Sequence, residues 1–391
     1  MPAKTQSYKS LYRSVCCILL FAIATNVRAQ ITANQPYPKD FYVVDIHDVD
    51  IAVNAFMQKY YVPGLSFAIA RGDSLKLQRS YGYADSSKNE LVKPGSRFRI
   101  ASVSKPFTSA GIMLLVEQGK LKLSDKVFGE GGVLGTAYGS QPYKKWITDI
   151  TIANLLEHTA GGWGNSGNDP MFMNPRMSQR ELINWTLNNM PLVNQPGTHY
   201  EYSNFGYCLL GRVIEKIAGT PYADFIQKNI LDKCGITTME IGGNTLAEQK
   251  VNEVYYYDKG GWAYKMDQRR MDSHGGWIAT ATDLVKLLVR LNYNPYKPEL
   301  LKTQTLKELY TPSLSGSNYA KGWAVNSANN HWHNGSLPGE QALAVNTSTG
   351  FSWAVLVNTR TDGNFGGDLD RLMWRIKEAI KKWPDIDLFD K

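Results

Sequence analysis

Three short stretches carry residue types from which acyl-transfer chemistry can be assembled. In "RIASVSKPFTSAG", residues 99–111, Ser102 and Lys105 stand three positions apart at what reads as the first turn of a helix. Positions i and i+3 share a helix face, and the free N–H groups and dipole of a helix start favour a negatively charged oxygen. A lysine serves as a base only when burial or neighbouring cations lower its pKa. By itself the pair is common, and a surface lysine is the plainer reading. In "HYEYSNFGY", residues 199–207, Tyr202 and Asn204 lie two apart just before a helix, where an extended segment points both side chains one way. Tyrosine can transfer a proton and asparagine can bind an amide, although Ser203 or Asn204 acting only as a helix cap is the plainer reading. In "HWHNGSLPGEQALAVN", residues 331–346, His333, Asn334 and Gly335 fall where a strand begins or passes a cleft, and glycine lets a ligand approach the backbone. His331 and His333 alternate around Trp332 and could share a strand face, but no acidic or Cys/His cluster accompanies them, so no metal site is expected.

The elements that must position these residues divide along the chain. Residues 46–61 read as a helix, and "LSFAIARGD" followed by "SLKLQRSYGYA" reads as two strands joined by a tight Gly-Asp turn. Helical patterns follow from "SKPFTSAGIMLLVEQGK" through "TIANLLEHTAGG", "SQRELINWTLNNM" and "NFGYCLLGRVIEKIAG" to "PYADFIQKNIL". After about residue 250 strand signals return in "YAKGWAVNS", "QALAVNTS" and "FSWAVLVNT", and the chain ends on the helical "LDRLMWRIKEAIKKW". Strands at both ends with helices between them predict an α/β fold: an antiparallel sheet flanked by helices, with an inserted helical lobe. The sheet lobe is expected over about 40–101 and 250–391 and the helical lobe over about 102–249, with a site between them.

The 391 residues carry a net charge of +8. Residues 1–29 have a basic start, an apolar run from about Val15 to Ala24 and a small-residue pattern at Val27-Arg28-Ala29, which predict a secretory signal cut after Ala29. The apolar run is shorter than the about 20 residues that span a bilayer, so stable membrane insertion is not expected. Losing residues 1–29 removes four basic and no acidic residues and leaves +4, a mild bias that argues against nucleic acid as a partner. The Arg269-Arg270 pair among tyrosines reads as a loop at a cleft edge. Cys16 and Cys17 leave with the leader; Cys208 and Cys234 sit in apolar segments and read as buried free thiols, with a disulfide between them, which an oxidising compartment would permit, as the alternative. Nothing in the pattern specifies an oligomeric state.

Taken in order, Ser-x-x-Lys, Tyr-x-Asn and His-x-Gly resemble the penicillin-recognising serine hydrolases, in the branch of class C β-lactamases, D-alanyl-D-alanine carboxypeptidases, D-aminopeptidases and related esterases. The flanking stretches "YVPGLSFAIARGD", "ITIANLLEHTAGG", "QPGTHYEYSNFGYCLLGRVIEKIAG", "GGWIATATDLVKLL" and "HNGSLPGEQ" resemble family segments in the family's order. The resemblance implies a β-lactamase/transpeptidase-like fold and no cofactor. It makes Ser102 the nucleophile, Lys105 the group that helps deprotonate it and Tyr202 the proton shuttle. Asn204 would hold the substrate amide, His333, Asn334 and Gly335 would line the substrate site, and the N–H groups of Ser102 and Ser336 would form the oxyanion hole. Together with the leader pattern of residues 1–29, which predicts a secreted protein, periplasmic in a bacterium, it implies an enzyme acting on a small molecule or short peptide, most simply a D-amino-acid peptide or small ester. The alternatives are a β-lactamase, a transacylase or a slowly turning-over penicillin-binding sensor. A largely neutral histidine in place of the Lys-Thr-Gly lysine attracts a β-lactam carboxylate less, which turns the expectation away from efficient β-lactamase.

Several other segments have plain readings. His158 in "HTAGGWG" is expected to organise a loop, the glycine-rich "FGEGGVLGTAYG" lacks the ending of a phosphate loop, and Ser66 in "GLSFA" lies inside a strand and reads as structural. The tyrosines and tryptophans of residues 254–277 could line the cleft or simply pack.

Overall fold

The computed structural model describes residues 33–165, 167, 169–293 and 298–389. The expected leader, with Cys16 and Cys17, lies outside them. Helix α1 (Val43–Tyr60) leads into strands β1 (Gly64–Arg71) and β2 (Ser74–Asp85), followed by two short strands, β3 (Glu90–Leu91) and β4 (Phe98–Arg99). The helical region then runs through α2 (Ser104–Glu117), α3 (Ile152–Leu156), α4 (Gln179–Asn189), α5 (Asn204–Ala218) and α6 (Tyr222–Ile226). The chain returns through β5 (Glu240–Ile241), α7 (Asp272–Gly275), β6 (Trp277–Ala279), α8 (Ala281–Leu288) and α9 (Thr303–Tyr310). It closes with β7 (Ala324–Val325), β8 (His331–Leu337), β9 (Glu340–Asn346), β10 (Phe351–Val357) and α10 (Phe365–Ala379).

One seven-stranded antiparallel sheet, in the order β3-β2-β1-β10-β9-β8-β7, is built from both ends of the chain, with β1 against β10 in the register Phe67 to Val355. Side chains alternate across a strand, and the sequence uses the alternation to give the two faces different depths. Leu65, Phe67 and Ile69 of β1 and Trp353, Val355 and Val357 of β10 pack beneath α1 and α10. Ala68 and Ala70 of β1, Ala342 and Ala344 of β9, and Ala354 of β10 face the other way. Their small side chains let α8 lie close on that face, where the main core begins. Both faces are buried, so β1, β9 and β10 read as near-continuous apolar runs. Ser66 is buried in β1 with its Oγ 3.3 Å from Ser80 Oγ, a role within the sheet.

Two expected elements come out differently. The stretch "YAKGWAVNS" yields only the two-residue β7, because Gly322 takes a left-handed φ of 86° and the chain turns so that Ala320 N donates to Trp323 O. The stretch "PYADFIQKNIL" breaks after α6 into a wider π-helical turn over Gln227–Leu231. Helix α2 is buried nearly all round, and two of its internal hydroxyls are satisfied across the fold: Thr108 donates to Ser273 O at 2.6 Å and Ser109 to Lys321 O. Cys208 and Cys234 are both buried and free. Among the described residues no helix is long and apolar enough to cross a membrane.

Candidate active site

Ser102 sits in a single 3₁₀ turn, residues 101–103, between β4 and α2. The turn is held from behind by its own strand: Arg99 N donates to Tyr256 OH at 2.8 Å and Ile100 N to Trp277 O at 3.1 Å. Ala101 is forced to φ 42°, a conformation that costs a non-glycine residue about 1–3 kcal/mol and persists only where surroundings impose it. The strained residue is the one immediately before the nucleophile candidate.

Lys105, one turn into α2, is completely buried. Its Nζ lies 3.0 Å from Ser102 Oγ, 2.7 Å from Asn204 Oδ1 and 2.9 Å from His274 O. Burial lowers its pKa to about 7, only partly opposed by the more distant Asp169 carboxylate. Two of its neighbours are oxygens that only accept, and the third is a hydroxyl. A neutral amine fits this set: two N–H bonds go to Asn204 and the His274 carbonyl, and the lone pair receives the Ser102 proton.

Tyr202 is half-buried beside the pair, its phenol hydrogen-bonded to Ser102 and its ring 4.9 Å from Lys105 Nζ. Burial raises its pKa well above the ordinary phenol value, so it stands as a proton donor. His158 fixes it from behind: it takes φ 56°, its ring packs at a tilt with its centroid 4.2 Å from that of Tyr202, and its Nδ1 accepts from Ser203 N at 3.1 Å. Both sequence readings of the second motif are realised by different residues. Ser203 caps α5 by accepting from Gly206 N at 3.1 Å, while Asn204 faces the cleft and accepts from Lys105. Asn204 is itself held by a residue without a sequence signal: buried Asp169 accepts from Asn204 N at 2.6 Å and from its Nδ2 at 3.1 Å. Among the described residues the second Nδ2 hydrogen has no acceptor.

Strand β8 forms the opposite wall, and Gly335 explains how it comes so close. A Cβ there would stand 2.1 Å from Ile100 O and 3.1 Å from Ser102 N, so only glycine permits the approach. Strand β7 pairs only with Trp332 and His331, which leaves the edge of β8 beyond them unpaired in the sheet and facing the nucleophile turn. Ser336, on this edge, lines the cleft.

His333 and Asn334 do not reach the cleft. His333 Nδ1 is 2.7 Å from the Asn334 carbonyl, which can only accept, so Nδ1 carries the proton and Nε2 accepts from Tyr319 OH at 2.8 Å. Both ring nitrogens are thus spent inside the fold, and burial pushes the pKa down to about 3. Asn334 points to the other face of β8, where it borders a separate cavity with Trp332 and Trp374.

The cleft holds about 310 Å³. Phe172, Met266, Met271, Leu337 and Pro338 make its apolar walls, and Arg360, from the loop after β10, stands at its mouth with Nη1 3.4 Å from Ser336 Oγ. Most aromatics of residues 254–277 serve packing instead: Trp277 is buried against Tyr222, and Tyr264 OH accepts from Tyr256 N at 3.0 Å. The arginine pair is also structural, Arg270 donating to the carbonyls of Met171, Asn174 and Met177 while Arg269 pairs with Glu248. His331 stacks on Tyr310 at 3.7 Å, and among the described residues no group of three or more His, Cys, Asp or Glu is placed to hold a metal ion.

An antiparallel sheet backed by helices, with a Ser-Lys-Tyr cluster at the seam of sheet and helical region, defines the class of the penicillin-recognising serine fold. The chain belongs to the Beta-lactamase family, whose sequence model matches residues 49–377. Protein flp of Staphylococcus aureus (strain MRSA252) is 25% identical over 321 residues, 80% of this chain and 63% of that protein. Penicillin-binding protein 4* of Bacillus subtilis (strain 168) is 26% identical over 314 residues, 74% of this chain and 66% of its own. The match to Protein flp thus spans under two thirds of that relative's length. Among solved structures, D-amino acid amidase from Ochrobactrum anthropi SV3 superposes with a TM-score of 0.70 at 21% identity, covering 86% of this chain and 98% of the amidase. The octameric penicillin-binding protein homologue from Pyrococcus abyssi gives 0.68 at 22% identity, covering 88% and 79%. At these identities the structural likeness carries the fold.

Proposed function

We propose that the protein is an exported serine hydrolase that cleaves an ester or amide through an acyl-enzyme on Ser102, with D-amino-acid peptides or small esters as its substrates. One observation carries this reading: a fully buried lysine, Nζ 3.0 Å from Ser102 Oγ, with its pKa lowered to about 7. Burying an amine is costly, and here the cost produces a base beside a hydroxyl at the edge of a cleft. The export rests on the leader pattern of residues 1–29.

In the reaction, the Ser102 O–H gives its proton to Lys105 Nζ as Oγ bonds to the carbonyl carbon of the substrate. The resulting oxyanion is taken by the N–H groups of Ser102 and Ser336, the latter supplied by the unpaired edge of β8. As the tetrahedral intermediate collapses, the bond to the leaving amine or alkoxide breaks and Tyr202 donates the proton that group needs. The Lys105 ammonium then reprotonates Tyr202. Water repeats the sequence on the acyl-enzyme, giving up one proton and adding as hydroxide, and Ser102 departs with a proton restored. Lys105 is the better base of the two, because burial moves Tyr202 away from the phenolate and Lys105 toward the free amine. Asn204 offers its second Nδ2 hydrogen to the substrate's amide carbonyl.

The test is hydrolysis of a nitrophenyl ester by wild type and Ser102→Ala, with intact-mass spectrometry of the quenched reaction. Wild type is expected to turn over and to carry an acyl adduct on Ser102; the variant is expected to lose both, with a fall of at least about 1000-fold in kcat/KM. Undiminished turnover by Ser102→Ala defeats the mechanism. A parallel panel of a D-alanyl-D-alanine peptide, D-amino-acid amides, short-chain esters and a chromogenic cephalosporin ranks the substrates.

A further inference from the structure

We infer that a cavity on the outer face of β8 and β9, closed by the start of α10, is a binding site for a neutral saccharide. It holds about 430 Å³ and shares no lining residue with the cleft of Ser102 and Tyr202. The inference therefore goes beyond the acyl-enzyme reading and does not depend on it. Alternation along β9 builds the floor: Leu343 and Val345 belong to the outer apolar cluster, and Gln341 stands on the same side. Gln341 is only 7% exposed, yet among the described residues its amide makes no hydrogen bond. A buried amide left unpaired costs about 1–3 kcal/mol, so this one is suited to a ligand that pairs with it. Its Nε2 faces the first turn of α10, where a Cβ on Gly366 would stand 3.5 Å away. That helix start carries no side-chain cap, and Gly366 and Gly367 bring its unpaired N–H groups to the cavity.

The remaining polar groups come from other elements. Asn334 of β8 is exposed, and among the described residues its side chain makes no hydrogen bond. In the turn between β7 and β8, Asn326 Oδ1 accepts from Ala328 N and Asn330 N, and Asn330 Oδ1 accepts from Ser348 N. Among the described residues the NH₂ groups of both have no acceptor. Asp370 of α10 is the one charged residue in the lining, and its carboxylate accepts from the Trp374 indole. With no lysine or arginine beside it in the lining, that charge disfavours an anion, and the positive end of the α10 dipole disfavours a cation. A neutral ligand is left, and polar groups from the turn, two strands and a helix require it to offer donors and acceptors on several edges. Trp332 and Trp374 add indole surface, the second held edge-on by Trp353 with centroids 4.8 Å apart. A sugar ring has this character: its C–H faces pack on an indole, and each hydroxyl of its rim is both donor and acceptor, as the amide side chains are. The volume falls among those of small-ligand sites, about 300–1,000 Å³.

The experiment titrates the protein with cellotriose, maltotriose and the trisaccharide of N-acetylglucosamine, and with trigalacturonate as the charged counterpart, by calorimetry and tryptophan fluorescence. At least one neutral trisaccharide is expected to bind with a Kd of about 1 mM or below, and trigalacturonate at least about tenfold more weakly. Trp332→Ala should weaken the neutral ligand at least about tenfold and Asn334→Ala at least about fivefold. Asn334→Ala decides alone if Trp332→Ala fails to fold, because the asparagine side chain is exposed and unbonded among the described residues. The saccharide should leave the KM for a nitrophenyl ester unchanged, since the two cavities share no residue. No binding of any neutral trisaccharide, binding that survives Asn334→Ala, tighter binding of trigalacturonate, or a competitive rise in KM overturns the inference. Failure of the acyl-enzyme reading looks different: no adduct on Ser102 and ester turnover that persists in Ser102→Ala, a variant that should bind the saccharide as wild type does.

Discussion

Lys105 can act on Ser102 only as the free amine, and the fold supplies that form by removing water rather than by adding cations. Desolvation lowers its pKa from 10.5 to about 7, while Asp169 pulls weakly the other way. The sign for activity follows directly: below pH 7 the ammonium holds the proton that Ser102 must lose, and above it the lone pair is open. For a nitrophenyl ester, kcat/KM is expected to rise about tenfold per pH unit below the bend, level off above about pH 7, and stay level until the ester's own hydrolysis intrudes. The histidines do not confuse this limb. Burial holds His333 down at about 3 and keeps His158 and His274 well below the ordinary imidazole value. A stopped-flow profile from pH 5 to 9 that is flat, or that keeps its bend in Lys105→Arg at undiminished rate, contradicts the assignment. Lys105→Arg itself should lose at least about 100-fold, because a guanidinium stays charged throughout.

At the scale of elements, the site depends on how closely a strand and a turn can meet. Gly335 puts the backbone of β8 against the Ile100 carbonyl and the Ser102 N–H, with no room for a methyl group. Gly335→Ala should push β8 away from the nucleophile turn, costing about 1–3 kcal/mol of stability through overpacking. Activity should suffer more than stability, with kcat falling at least about 100-fold as the Ser336 donor is displaced. Ester kinetics and thermal melts on the same preparation check both, and a variant that melts lower yet keeps full kcat refutes the geometric role. This closeness also separates what the sequence made legible from what it hid. The motifs were readable because their chemistry is local: a helix turn joins Ser102 to Lys105, and an extended pair joins Tyr202 to Asn204. The near-continuous apolar strands and the helical runs were readable for the same reason, as patterns of single elements. Asp169, Tyr319, His274 and Arg360 meet the motif residues only through tertiary contacts and carry no periodic or spaced signal. His333 and Asn334 misled because a motif names a strand but not which way each side chain turns on it. The short β7 was overread because the apolar pattern around Gly322 does not register the left-handed turn.

At the scale of the whole molecule, the helical region has no core of its own. The inner cluster runs without a break from Ala68, Ala84 and Leu356 of the sheet through Phe107, Leu155 and Leu182 to Leu209 and Ile230. The second cluster lies beyond the sheet, where α1 and α10 cover Phe67 and Trp353, and the sheet is the wall both clusters share. Ser102 and Lys105 stand where the sheet edge meets the helices, so the site exists only while both parts are assembled. Unfolding of the helical region alone would break this continuous inner cluster, in which Leu356 and the alanines of the sheet and Leu284 and Leu287 of α8 are joined to Phe107, Leu155 and Leu209. The two regions should therefore open together. In hydrogen exchange followed by mass spectrometry across a denaturant series, peptides covering α2 and β10 are expected to lose protection at the same concentration, coincident with loss of ester hydrolysis. Leu356→Ala, which cuts the shared core from the sheet side, should lower that common midpoint by the equivalent of about 2–5 kcal/mol for both peptides alike. If α2 opens at a lower concentration than β10, or if Leu356→Ala moves the β10 midpoint and leaves α2 in place, the helical region is an independent unit and the site is assembled by docking rather than by folding.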